Sequence, residues 1–206
     1  KDGKVIYRKS FGHHTYAREQ PVRLEDYYDL ASITKVAATT LAAMQAYEQE
    51  EMELNDRLRE HLQLRRSSRL RNLRVEKLLS HRTGLQPHLP VIPYLLERDA
   101  DNADCERYFC VSPSADFPVA VSDSFYFARK YYDRIWDDMQ GLRSRYTRYR
   151  YSDVNFVLLQ RLLEAKAGTR LDSLVDQSFY QPLGLQRFTF LPLQSVPPRQ
   201  IVPTEN

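Results

Sequence analysis

Apolar positions change their period three times along the chain. Residues 4 to 9 ("KVIYRK") read as a strand, and Phe11 to Tyr16 as its antiparallel continuation after a bend near Gly12. From Ser32 the period becomes helical: in "SITKVAATTLAAMQAYEQEEMEL", Val36, Ala37, Leu41, Met44 and Tyr47 recur on helical spacing with good helix formers between them. The many small residues predict close packing on several sides, and so a central helix whose start lies near the middle of the molecule. Asn55-Asp56 is set to cap a short helix, and Val75 to His81 makes another that stops at Gly84. Pro87, Pro90 and Pro93 break regular structure, and residues 99 to 124 have so little periodicity that they read as a long excursion or insertion. Residues 125 to 140 suit a helix. Asp153 to Ala167 ("DVNFVLLQRLLEAKA") is an amphipathic helix closed by Gly168, and Leu171 to Phe179 is another. "YQPLGL" then turns the chain into a proline-rich tail placed to return to the sheet. Strands first, then mostly helices, predicts an α+β fold.

Composition narrows the class. The chain has 206 residues, enough for one domain with a real core, and no repeat or apolar run of the roughly 18 residues a membrane span needs. A formal charge of +3 does not demand a polyanionic partner, although arginines crowd "RRSSRLRNLR" (65 to 74) and "RSRYTRYRY" (143 to 151). Basic residues interleaved with aromatics also suit single-stranded nucleic acid, which makes an RNA-binding module the rival from another class. No RNP or KH signature accompanies the run, and solvated arginines on helices are the plainer reading of 65 to 74. Cys105 and Cys110 flank "ERYF" in a spacing unlike a zinc knuckle, so a pair of thiols and a short local disulfide both stay open. The five histidines show no H-E-x-x-H or comparable spacing, so neither metal nor cofactor is expected. Asp2-Gly3 is a hairpin-turn signal that calls for a strand on both sides, and the expectation is an incomplete domain.

The stretch "DLASITK" (29 to 35) carries the candidate chemistry. A serine hydroxyl is a poor nucleophile near neutral pH and needs a base in reach and donors for the oxyanion it creates. At i and i+3 on a helix, Ser32 and Lys35 share a face, and the helix start adds free N–H groups and a positive dipole end. Ser is also a preferred helix cap, so the tetrapeptide needs company. "YSDVNF" (151 to 156) supplies it: Tyr151, set against a lysine ammonium, can act as a base, and Asp153 lies two residues on.

These neighbourhoods together resemble the serine β-lactamase and penicillin-binding-protein superfamily. "DLASITKVAATT" is similar to its nucleophile motif, above all in the class C β-lactamase, DD-peptidase and esterase branch, and "YSD" stands where that branch carries Tyr-x-Asn. "VEKLLSHRTGL" (75 to 85), "FYQPLGLQRFTF" (179 to 190) and "IVPTEN" (201 to 206) also look like family stretches. The resemblance covers the chain from residue 4 to its end, with residues 87 to 124 matching least. It implies an antiparallel sheet flanked by helices plus a mainly helical region, with the active site between them. Residues 1–28 would give sheet strands, 29–190 the helical region with the active-site helix, and 191–206 a tail leading to further strands. Ser32 would be the acylated nucleophile, Lys35 its proton-accepting neighbour and Tyr151 the group that passes the proton to the leaving atom. His81 in "LLSHRTGL" would be structural.

Two departures from the family pattern shape the expectations. Asp153 replaces the commoner Asn, and a carboxylate beside Lys35 favours the charged ammonium, which points to Tyr151 as the base. The third motif, a Lys- or His-containing Thr/Gly-rich edge strand, is not in the sequence, so these 206 residues alone are expected to be weakly active or inactive. The implied function is acyl transfer to Ser32 followed by hydrolysis, on cell-wall peptide or amide or β-lactam-like substrates outside the cytoplasm. An esterase of the same fold and a catalytically impaired binding relic are the alternatives, and a fused glycoside hydrolase is the implied partner domain.

Overall fold

The computed structural model describes residues 1–89, 108–120, 126–144 and 148–204. Helix α1 opens with a π-helical stretch, Lys35–Thr40, and runs on as Leu41–Glu48. Short helices α2 (Leu58–His61) and α3 (Val75–Leu79) follow, then α4 (Arg129–Gln140), α5 (Asp153–Ala167) and α6 (Leu171–Val175, continued by π-helical Asp176–Tyr180). Three two-residue strands, β1 (Phe109–Cys110), β2 (Val119–Ala120) and β3 (Tyr126–Phe127), form an antiparallel sheet in the order β1-β3-β2. Phe127 stands opposite both Phe109 and Val119. Helices beside a small antiparallel sheet make the expected α+β class.

Helix α5 is the axis of the core. Val154, Leu158, Leu159, Leu162 and Leu163 are buried on it, and α1, α2, α3 and α6 pack around them. The side that α1 turns inward is made of Ala38, Ala42, Ala43 and Ala46, which lets two helix backbones come close without a gap. Gly168 ends α5 at φ 64°, a left-handed conformation suited to glycine, and Glu164 Oε1 accepts the Leu171 N–H at 3.0 Å to start α6. The tail closes the molecule: Tyr27 N donates to Gln200 O at 2.7 Å and Val202 N to Tyr27 O at 2.9 Å. Among the described residues no helix is long and apolar enough to cross a membrane.

Four expectations are revised. Asp2 (φ 53°) and Gly3 (φ 74°) do form a tight turn closed by Lys4 N donating to Lys1 O at 3.0 Å, but residues 4–9 are not a strand. No described backbone lies alongside to take their N–H and C=O groups, and Val5, Ile6 and Tyr7 are left 71–79% exposed. Phe11–Tyr16 keeps only an isolated bridge, His13 to Pro21. On α1 the apolar stripe read from the sequence is split: Val36, Met44 and Tyr47 face outward at 62%, 61% and 48% exposed, while Leu41 packs against the core beside the alanines that make the inner side. After α3 it is His81 (φ 53°), ahead of Gly84, that first takes the left-handed conformation. Strands β1 and β2 fall where no regular structure is expected, since two residues are too few to show alternation, and β3 takes Tyr126–Phe127 from the start of the 125–140 stretch, so that its helix begins only at Arg129. Cys110 lies in β1, whereas Cys105 and, of the 99–124 excursion, residues 99–107 and 121–124 lie outside the described residues.

Leu159 is fully buried at the centre of this packing. Leu159→Ala is expected to cost about 2–5 kcal/mol, read as a lower urea midpoint at unchanged slope.

Candidate active site

The turn before α1 presents Ser32 to solvent. Its carbonyl accepts the Lys35 N–H at 3.1 Å, so Ser32 starts the helical path from outside it. Ala31, just ahead, is held at φ 44°, a strained conformation for a residue with a Cβ, and its N–H donates to Asp29 Oδ1 at 2.7 Å. Backbone strain of this kind collects at functional turns.

Three groups distant in sequence meet there. Lys35 Nζ donates to Ser32 Oγ at 3.0 Å, and Ser32 Oγ shares a 2.7 Å hydrogen bond with Tyr151 OH. Behind them Lys35 Nζ is paired with Asp153 Oδ1 at 2.6 Å, and it lies 5.0 Å from the centre of the Tyr151 ring. All four residues singled out in the sequence, Ser32, Lys35, Tyr151 and Asp153, are therefore in one constellation. Ser32 follows from the turn that opens α1, Tyr151 from the chain entering α5, and Asp153 from the first residue of α5. An acidic side chain in that position is also favoured by the helix dipole.

Charge in the cluster has a definite direction. Burial alone would push the Lys35 ammonium toward deprotonation, but the Asp153 carboxylate and the Tyr151 hydroxyl outweigh it and hold Lys35 above its ordinary value of 10.5. Burial would likewise raise Asp153, yet donation from Lys35 and then His88 keeps its carboxyl below the usual 3.8. The site thus contains an ammonium and a carboxylate, as expected from Asp153.

Two histidines support the constellation, and one of them the sequence reading missed. His81 has its pKa lowered by burial and by the Lys35 charge, and its Nδ1 accepts from Ser152 N at 3.2 Å and from Asn155 Nδ2 at 3.3 Å. Its ring lies 4.6 Å from that of Tyr151 and 5.1 Å from that of Phe156, so it braces the phenol from behind. That is the structural place expected of it. His88 was read only as part of a proline-broken loop, but its Nδ1 is 3.2 Å from Asp153 Oδ2. A lone histidine beside prolines carries no periodic signal that could have marked it.

The surroundings add two cavities. A pocket of about 240 Å³ reaches Lys35 and Asp153 and is walled by Thr39, Gln160, Glu164 and Arg170. A cleft of about 930 Å³ is lined by Asp29, Leu30 and Thr34 together with the aromatic rings of Tyr27, Tyr28, Phe188 and Phe190. Ser32 lines neither cavity, although its neighbours do: Leu30 lines the larger, Ala31 the smaller and Thr34 both. Among the described residues no three His, Cys, Asp or Glu side chains converge to hold a metal. Of the arginines in 65–74, Arg65 pairs with Asp137, Arg71 donates to Leu64 O at 2.8 Å and Arg74 lies 4.0 Å from Glu76, so that run has local structural work. Part of the 143–151 run lies outside the described residues.

Residues 1–202 match the family model for Beta-lactamase. The chain belongs to the beta-lactamase family. A protein of Escherichia coli (strain K12) that carries the name "Putative D-alanyl-D-alanine carboxypeptidase" is 28% identical over 222 residues, covering all of this chain and 45% of that protein. The chain therefore spans about half the length of that curated relative. Among solved structures, the octameric penicillin-binding protein homologue from Pyrococcus abyssi superposes with a TM-score of 0.66 at 21% identity, covering 98% of this chain and 41% of the other. A class C beta lactamase from Rhodobacter sphaeroides gives a TM-score of 0.53 at 20% identity, with 87% and 44% covered. The fold of this beta-lactamase-family chain is thus that of the penicillin-binding proteins and class C enzymes, as the resemblance implied.

Four partly buried carboxylates set how this family member responds to acid. Asp26, Asp56, Asp153 and Asp172 all have folded-state pKa values depressed below 3.8. Burial opposes the shift in all four, but it is outweighed by the Arg23 N–H and His14 at Asp26, by the Glu53 N–H and His61 at Asp56, by Lys35 and His88 at Asp153, and by Arg170, the leading influence there, at Asp172. A depressed carboxyl stabilises the fold fully above its unfolded value and loses that contribution as pH falls through the folded one. Urea stability is therefore expected to hold down to about pH 4 and decline below it, with a shallower decline in Asp153→Asn. For Lys35 the sign reverses: its contribution is present below 10.5 and lost as pH rises through the raised value.

Proposed function

We propose that the chain carries the acyl-transfer half-site of a serine hydrolase acting on cell-wall peptide or amide or β-lactam-like substrates. The contact that carries this reading is Ser32 Oγ held between Tyr151 OH at 2.7 Å and Lys35 Nζ at 3.0 Å. Family membership supports it, as does the name of the E. coli relative, which points to the terminal D-alanyl-D-alanine of a cell-wall peptide. A site outside the cytoplasm goes with that substrate class.

In this reading Tyr151 enters as the phenolate: Ser32 Oγ forms a bond to the substrate carbonyl carbon, the carbonyl π pair moves onto its oxygen, and the serine proton passes to the Tyr151 phenolate oxygen, leaving a neutral phenol. Lys35 remains an ammonium, because Asp153 holds it so, and its positive charge stabilises the oxygen that gives or takes the proton. The phenol then returns the proton to the leaving nitrogen as the carbonyl–nitrogen bond breaks. Water adds to the ester in the reverse sense, giving its proton to Tyr151 and freeing Ser32. The Ser32 N–H takes no backbone acceptor among the described residues and is available to the oxyanion. An ester in place of the amide would follow the same path, which is why an esterase is the second reading. A binding relic is disfavoured by the intact hydrogen bonds around Ser32.

Reaction with a fluorophosphonate or a fluorescent penicillin, followed by intact-mass spectrometry, tests this directly. One adduct per chain is expected, absent in Ser32→Ala; equal labelling of the alanine variant would refute the nucleophile. Tyr151→Phe is expected to slow labelling on the order of 10²-fold and to change its pH profile. An unaltered profile would move the base elsewhere.

A further inference from the structure

We propose that His88 is a positioning residue for the Lys35–Asp153 pair, an inference that rests on the acyl-transfer reading above. The Asp153 carboxylate divides its oxygens between two partners, Oδ1 to Lys35 Nζ at 2.6 Å and Oδ2 to His88 Nδ1 at 3.2 Å. Five groups from three parts of the chain thus lie in series through four contacts: Tyr151 with Ser32, Ser32 with Lys35, Lys35 with Asp153, Asp153 with His88.

The backbone around His88 is fastened to the start of α5 independently of the ring. Asp153 N donates to Pro87 O at 2.7 Å, Ser152 Oγ to Gln86 O at 2.6 Å, and Gln86 Nε2 to His88 O at 2.9 Å. Leu85, fully buried, anchors the same loop in the core. The imidazole is therefore delivered to Asp153 by a laced loop and does not reach it by chance from a free surface chain, even though its side chain is 78% exposed.

Chemistry fixes the proton in this contact. Asp153 is ionised and can only accept, so Nδ1 of His88 must carry hydrogen, and the neutral ring is held as the Nδ1–H tautomer with Nε2 toward water. Free imidazole side chains favour the other tautomer, which makes the contact visible. A carboxylate with one partner can turn about its Cβ–Cγ bond; a second donor on the other oxygen fixes its plane. The aim of Oδ1 at Lys35, and of the ammonium at Ser32, follows from that plane. His81 faces the same pair but offers its acceptor nitrogen to Ser152 and Asn155, so it cannot replace His88.

The test uses the full chain with ¹⁵N-labelled histidine. In the neutral state His88 is expected to show a protonated Nδ1 and a bare Nε2, and to revert to Nε2–H in Asp153→Ala. Labelling of Ser32 by a fluorophosphonate is expected to slow roughly five-fold in His88→Ala, to recover in His88→Asn, whose amide restores a donor near the Nδ1 position, and to show no further loss from His88→Ala when Asp153 is already alanine. Thermal melts of each variant check that the fold is kept. An Nε2–H ring in the wild type, or the same loss with and without Asp153, overturns the role of His88 while leaving Ser32 acylation standing. A chain with the Nδ1–H signature that never labels at Ser32 overturns the acyl-transfer reading, and the role of His88 with it.

Discussion

One ion pair, Lys35 to Asp153 at 2.6 Å, joins the first turns of two helices whose starts are more than a hundred residues apart in sequence. The constellation depends on it because lysine is long and flexible, and an unpaired ammonium at a solvent-facing helix start would sample many rotamers. Pairing selects one. From that position a single nitrogen reaches the Ser32 hydroxyl at 3.0 Å and lies over the Tyr151 ring. The carboxylate is itself placed by backbone, since it belongs to the first residue of α5 and the same residue's N–H is held by Pro87.

Packing determines whether the pair can form at all. Helix α1 must lie near α5 along its whole inner side, and only small side chains there permit it, which Ala38, Ala42, Ala43 and Ala46 provide. The first six residues of α1 are wound as π-helix, which displaces carbonyls from their usual partners. Two of them are taken up by side chains: Thr40 Oγ1 donates to Lys35 O at 2.8 Å, and Tyr180 OH donates to Ala37 O at 2.8 Å. Burial, with the nearby Asp176 charge, raises the Tyr180 pKa, so its hydroxyl keeps the proton it donates. The irregular start of α1 is thereby tied to α6 as well as α5, and the turn carrying Ser32 inherits that rigidity.

What was legible in the sequence follows from the range of the interactions. Helix α5 and its glycine stop were readable because a long apolar stripe and a C-terminal Gly168 are local signals. The meeting of Ser32, Lys35, Tyr151 and Asp153 was readable because i and i+3 spacing is local and the second motif arrived with a family resemblance. Residues 4–9 misled because a strand is a pairwise structure, and its alternation says nothing about whether a partner is beside it. Helix α1 misled in another way: periodicity locates a stripe, but α1 carries two, one of large residues and one of alanines, and helix–helix approach selected the alanines. His88 could not be read at all, since its role depends on a loop being laced to α5 by backbone hydrogen bonds that side-chain identity does not encode.

The carboxylate at position 153 changes the electrostatic logic of the site. A lone ammonium beneath a bound substrate would lose its hydration and be driven toward the neutral amine. Paired with Asp153, the couple is neutral overall, so covering it with substrate is less unfavourable than covering either charge singly, and both stay ionised. The two halves of the couple do not act equally on the reacting oxygen, however. Lys35 donates to Ser32 directly, whereas Asp153 touches Lys35 and His88, and Coulomb energy falls with distance. In the acyl-transfer reading proposed above, Ser32 therefore meets a net positive neighbour from a charge-balanced pair, with Lys35 keeping its proton and Tyr151 moving one.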